Sequence, residues 1–303
     1  AVGVAMALAA AVVPSSTARD AIYLVAALQV TPMLLLARSL NRLEWRPVLF
    51  AGTIGLMFAI AQVLTGDNPS YNSPLALLFG LAGTSCIIAG LVALVRTSLR
   101  HRLTGIIGDA VIVAIGVWII AWAALVQPIA QHTGQNAVAT VLYGLYQPTT
   151  SVVVFLIAAV LLNHARPPAA MHMIAAALGF NVLADLVYAL IDAGHLGTGA
   201  ERLAVPFYVL AYVLLGAAFL HPSVHEIGQP MPQAARKTSG RLVVTTACLA
   251  IPVIVLAGTA PNDGTDRVVR SVSAILLAVL VTARVAHAVR ANNAAQAELL
   301  HGA

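Results

Sequence analysis

Residues 170–194, AMHMIAAALGFNVLADLVYALIDAG, stay apolar long enough to cross a bilayer as one helix. About 20 residues rising 1.5 Å each cover the ~30 Å of hydrocarbon. Yet Asn181, Asp185, Tyr188 and Asp192 recur at i, i+4, i+7 and i+11, which is one face of that helix. An ionisable side chain at bilayer depth costs at least ~2.5–3.5 kcal/mol unless it faces protein or water. The polar face must therefore look into a bundle, and this helix is not a passive lipid-exposed anchor.

The composition says the same of the whole chain. Of 303 residues, 60% are hydrophobic and 9% charged, with a mean hydropathy of +0.91. Soluble domains carry about 25% charged residues. The expected fold is an all-α, polytopic bundle with the lipid bilayer as its main partner. A net charge of +5 then reports basic loops on one side of the membrane and gives no reason to expect nucleic acid. Cys86 and Cys248 both lie in apolar runs and read as buried free thiols. Because the chain begins with Ala1 instead of Met, the start of the reading frame is expected upstream.

Around residues 170–194, the hydropathy pattern predicts ten spans, near 1–14, 21–37, 47–65, 74–95, 103–126, 139–162, 170–194, 204–220, 242–260 and 268–287. Basic residues sort by side. Arg38, Arg42, Arg46, Arg96, Arg100, Arg102, Arg166, Arg236, Lys237, Arg241, Arg284 and Arg290 fall on one side, and only Arg19, Arg202, Arg267 and Arg270 on the other. Asp20, Asp67, Asp192, Glu201, Asp263 and Asp266 lie in loops on the basic-poor side. The positive-inside rule then puts both termini in the cytoplasm and the chain in the cell (plasma) membrane. No loop is long enough for a soluble domain. The chain divides into a transmembrane domain, 1–287, and a cytoplasmic helical linker, 288–303. The last span runs without Pro or Gly into ARVAHAVRANNAAQAELLHGA, rich in good helix formers. It reads either as a signal-bearing helix, with a candidate homodimer contact, or as a fraying tail.

Depth along the spans asks which polar side chains can meet. Asp185 and Tyr188 lie within about two turns of the outer end of the seventh span. Tyr143, Tyr146 and Gln147 lie in the outer part of the sixth, and Tyr208 and Tyr212 in the outer half of the eighth. Consecutive helices usually pack as neighbours. Asn181, Asp185, Tyr188, Tyr146, Gln147, Tyr208 and Tyr212 are therefore the candidate ligand-binding set, opening outward to a small cationic or hydrogen-bonding molecule. The alternative is a polar clasp that holds spans six to eight together. Asp109 and Arg102, two turns apart, are expected to form a structural pair within the membrane. Trp118 and Trp122 are expected to be interfacial anchors.

Catalytic and metal chemistry find no foothold. His221 and His225 are four apart and followed by Glu226, but Pro222 intervenes and no third ligand is in view, so neither a metal nor a cofactor is expected. His132 and His195 fall in outer loops and are candidates only for weak metal binding or pH sensing. No P-loop, Gly-rich dinucleotide turn or Ser–His–Asp arrangement is present.

Three stretches carry a resemblance: GDAVIVAIGVWIIAW from Gly108, ADLVYALIDAGHLGTG from Ala184, and YVLAYVLLGAAFLHPSV from Tyr208. Together they resemble the membrane region of actinobacterial multi-pass signalling proteins that end in cytoplasmic GGDEF or GGDEF–EAL domains, or in histidine kinases. The likeness covers roughly the second half of the chain. It implies a sensory or anchoring role, with a diguanylate cyclase or cyclic-di-GMP phosphodiesterase domain outside this chain. The chain departs from that pattern at two places. A Gly-Asp pair common in span six is replaced by Tyr146, Gln147, Pro148, Thr149 and Thr150. An acidic residue and Trp that often open span eight are replaced by Ala204, Val205, Pro206, Phe207 and Tyr208. The resemblance therefore implies no ligand identity. The second reading is a ten-helix secondary transporter of the drug/metabolite type, built from two inverted halves of five spans.

Overall fold

A computed structural model describes residues 2–42, 45–65, 73–98, 103–133, 137–163, 166–227, 254 and 264–301. Among these the chain is helical throughout and has no strand. The helices are α1 (Val2–Val12), α2 (Ser16–Leu28), α3 (Val30–Asn41), α4 (Trp45–Thr65), α5 (Pro74–Ser98) and α6 (Leu103–Ala121). A π-helical turn, Trp122–Val126, joins α6 to α7 (Gln127–Thr133). Then come α8 (Ala137–Asn163), α9 (Ala169–Asp192), α10 (Glu201–Leu220) and α11 (Gly264–His301).

Among the described residues six segments are long and apolar enough to cross a membrane: Thr17–Asn41, Pro74–Ala93, Gly105–Ala130, Val138–Leu161, Ala169–Asp192 and Glu201–Leu220. They correspond to the expected second and fourth to eighth spans. The first and third expected spans appear as shorter apolar helices, Gly3–Val12 and Gly52–Leu64. The ninth, 242–260, lies outside the described residues. The tenth lies within α11, which begins earlier than hydropathy suggested, at Gly264. Leu28, Leu35, Leu75, Val111, Val154 and Leu186 point outward, as side chains facing lipid would.

Two prolines explain the interruptions. Pro32 has no N–H for the Leu28 carbonyl four residues back, and its ring crowds that oxygen. The second span therefore breaks at Gln29 into α2 and α3, while Gln29 N–H still donates to the Val25 carbonyl at 2.9 Å. Pro128 deprives the Ala124 carbonyl in the same way. There the chain widens into the π turn, with Gln127 N–H donating to the Trp122 carbonyl. His195 brings Nε2 to 3.4 Å from the Ala124 oxygen.

Packing divides the bundle around α10. Its one side meets α1, α2 and α3, its other side α9. The first interface is built largely from small residues, Ala7, Ala10, Ala26 and Ala27, with Val209 and Tyr212. Small side chains let helices approach closely where lipid gives no hydrophobic drive. A second core joins Ile106, Leu156, Val160, Met171 and Leu178 from α6, α8 and α9. α11 lies against α6 through Ile112, Ile119 and Leu277.

The α9–α10 hairpin is fastened at both ends. Gly194 takes φ +75°, the left-handed conformation that ends a helix cheaply, and His195 and Leu196 N–H groups then reach the Leu190 carbonyl. At the other end Ser223 Oγ accepts from the Ala170 N–H at 3.0 Å, capping α9. The His221 ring nitrogen accepts from the Ser223 N–H at 3.1 Å. The HPS triplet of the LHPSV run is thus a helix stop and a cap for its neighbour.

Candidate functional site

Asp185 lies on α9 and is 6% exposed. Its carboxylate accepts from the Tyr208 hydroxyl at 2.5 Å and from Asn181 Nδ2 at 3.0 Å. The first distance is at the short end of charge-assisted O–H···O⁻ bonds. Asn181 comes from the preceding turn of α9, and Tyr208 from the facing turn of α10. Sequence spacing had put these residues within reach, and the α9–α10 hairpin brings them into contact.

Tyrosines close the surroundings. The Tyr188 ring stacks on Tyr208 with centroids 6.0 Å apart. Tyr23 of α2 meets Tyr208 and Tyr212 edge-on at 5.4 and 5.6 Å. The Tyr23 and Tyr212 hydroxyls share a 2.9 Å hydrogen bond. Tyr146 of α8 interacts electrostatically with Asp185 and Tyr23 and pairs with Thr84 of α5. Gly80 makes the room for it: a Cβ there would stand 3.3 Å from the Tyr146 ring. Four of the chain's seven tyrosines, Tyr23, Tyr146, Tyr208 and Tyr212, thus lie around one carboxylate, with Tyr188 stacked behind Tyr208.

Of the expected set, Asn181, Asp185, Tyr188, Tyr146, Tyr208 and Tyr212 come together. The side chain of Gln147 lies outside the described residues. Sequence reasoning missed Tyr23, although it stands near the Arg19–Asp20 end of its span, at a depth comparable to Asp185. Tyr143 goes elsewhere: its hydroxyl donates to Asp192 at 3.1 Å, nearer the end of the bundle. There Arg19 donates to Glu201 at 3.3 Å and to the Val13 and Pro14 carbonyls. Gln62 donates to Asp20 at 3.2 Å. Tyr188 lies within electrostatic range of Arg19, Asp20 and Glu201 and so links this end to the Asp185 cluster.

Two expectations for the other helices need revision. Trp122 is not an exposed interfacial anchor, and Trp118 is half-buried against α11. Trp122 is 1% exposed and its Nε1 donates to Asp266 Oδ1 at 3.0 Å. Trp118 Nε1 donates to Ser273 Oγ at 3.0 Å. An indole N–H buried in a bundle needs an acceptor, and α11 supplies both. Asp266 and Arg270, expected in or beside a loop, are buried on the first turns of α11. Arg270 Nε donates to Asp266 Oδ1 at 2.6 Å. Asp109 is buried; its expected partner Arg102 lies outside the described residues, as does the side chain of His132. Among the described residues no three His, Cys, Asp or Glu side chains converge in the manner of a metal site.

Comparison with family models, with curated proteins and with solved structures finds no match to this chain.

Proposed function

We propose that the chain is the transmembrane sensory region of a bacterial signal-transduction protein, with the Asp185 cluster as its input and α11 as its output. The observation that carries this reading is the build of α11. It is one unbroken helix of 38 residues, about 57 Å long. Its first turns are fastened to the π turn after α6 by the Trp122–Asp266 hydrogen bond and to α6 by Trp118–Ser273. A bilayer core takes up only ~30 Å of that length. A rod fixed at one end of the bundle and continuing well past the other is suited to hand a shift or rotation to whatever follows it. The asymmetry of basic residues supports a ten-span topology with both termini in the cytoplasm, which puts the free end of α11 on the cytoplasmic side. The resemblance to multi-pass cyclic-di-GMP signalling proteins supports a cyclase or phosphodiesterase as the output.

The mechanism is a population shift. Two packings of α9 against α10 and α2 differ in how they satisfy Asp185, and the favoured packing sets the position of α11 through α6 and α8. Joining residues 1–303 in frame to a diguanylate cyclase domain tests this. Asp185→Asn and Tyr208→Phe should change cyclic-di-GMP output at equal membrane abundance. Output identical to wild type in both variants would refute the reading.

One observation favours the transporter reading: the break at Gln29 interrupts a membrane helix at mid-depth, as in many substrate sites. In an inverted-repeat plan the counterpart of that span is α9, and α9 is continuous. The sensor reading is therefore preferred.

A further inference from the structure

Asp185 differs from a typical buried carboxylate in what surrounds it. Both its partners are neutral donors, Tyr208 and Asn181, and no Arg or Lys among the described residues contacts it. On α9 the next titratable groups are Tyr188 and, farther along, Asp192. From α10 come Tyr208 and Tyr212, from α8 Tyr146, and from α2 Tyr23. The nearest cation toward the bundle end is Arg19, which is committed to Glu201 and to two carbonyls. An anion held this way lacks a counter-charge, and burial of an unpaired charge is strongly unfavourable. Among the described residues nothing supplies the missing charge, so a cation from solvent is the natural source. The tyrosine rings already pack against one another at 5.4–6.0 Å, which leaves the proton as the cation that needs no further space.

We infer that Asp185 is a reversible proton-binding site, and that its protonation is the signal read by the sensory unit; the second half of this statement rests on the function proposed above. The step is an acid–base equilibrium only. A proton from water at the Arg19–Glu201 end adds to one carboxylate oxygen, and no other bond forms or breaks. As an anion, Asp185 accepts from Tyr208. Protonated on Oδ1, it donates to the Tyr208 hydroxyl oxygen, and the Tyr208 proton must turn to another acceptor. The α9–α10 bond thus reverses polarity when the proton binds. Tyr188, stacked on Tyr208 and electrostatically coupled to Glu201 and Asp20, lies between the cluster and that end of the bundle. The network is positioned to report the acidity of the compartment on that side.

The test is infrared spectroscopy of the full chain in lipid vesicles, titrated from about pH 5 to about pH 9. A protonated carboxyl gives a C=O stretching band separate from amide absorption. Such a band should fade as the pH rises and be missing from Asp185→Asn, which identifies it against Asp109, Asp192 and Asp266. Tyr208→Phe keeps the ring but removes a donor to the anion, and should tighten proton binding about tenfold. A band that ignores pH, or no band lost in Asp185→Asn, would overturn the inference even if the cyclase fusion responds to the same substitution. A titrating band with an unresponsive fusion would establish the proton site and remove the sensory reading.

Discussion

Asp266 and Asp185 are both buried with aromatic partners, and their surroundings treat the charge in opposite ways. Asp266 has Arg270 one turn away on its own helix, with the Trp122 indole donating to the same oxygen. Asp185 has a phenol and an amide, both neutral. The first arrangement is complete in itself, so it holds α11 to α6 in one state. The second is short of one positive charge, so its state depends on what the surroundings supply. The same residue type thus serves as a lock in one region and, in the function proposed above, as the input in the other; among the described residues the difference lies in whether an arginine contacts it.

Breaking the lock should have the largest effect. Arg270→Ala removes the guanidinium bonded to buried Asp266 and is expected to destabilise the folded protein by about 3–5 kcal/mol. Equilibrium unfolding in mixed detergent micelles would measure this, and adding Asp266→Asn should recover much of the loss. Trp122→Phe removes the second donor to Asp266 and should cost about 1–3 kcal/mol in the same assay. Around Asp185 the effects on stability should be smaller. Tyr23→Phe removes the Tyr23–Tyr212 hydrogen bond and should cost about 0.5–1.5 kcal/mol. Asp185→Asn should cost less than about 1 kcal/mol, because Tyr208 can donate to the amide oxygen and Asn181 can turn its own amide to accept. If Asp185→Asn proved as damaging as Arg270→Ala, the contrast between lock and sensor would disappear and Asp185 would be a structural clasp.

How much of this could be read from the chain depended on the range of the interaction. Asn181, Asp185 and Tyr188 share a helix face by spacing alone, and an apolar helix cannot leave such a face in lipid. Tyr208 and Tyr212 followed because consecutive helices pack together. Tyr23 and Thr84 did not, since no short-range pattern ties α2 or α5 to α9. The tryptophans were misread for a related reason. Near a span end, interfacial placement satisfies an indole, and only the fold reveals that Asp266 and Ser273 of a helix far along the chain are the acceptors. The break at Gln29 and the π turn were written in the sequence as Pro32 and Pro128, each removing one helix donor. Hydropathy blurred them because neither proline interrupts an apolar run.

The central claim, that the state of Asp185 is passed to α11, is tested most directly by distance. Spin labels at Arg96 on α5 and Val289 on α11, both exposed, would report the position of α11 in vesicles once Cys86 and Cys248 are replaced by Ser. The expected result is a shift of about 2 Å between acidic and alkaline samples, with Asp185→Asn fixed in one distribution at every pH. Identical distributions for both proteins at all pH values would contradict the account, and would leave α11 a static helix beside an inert cluster.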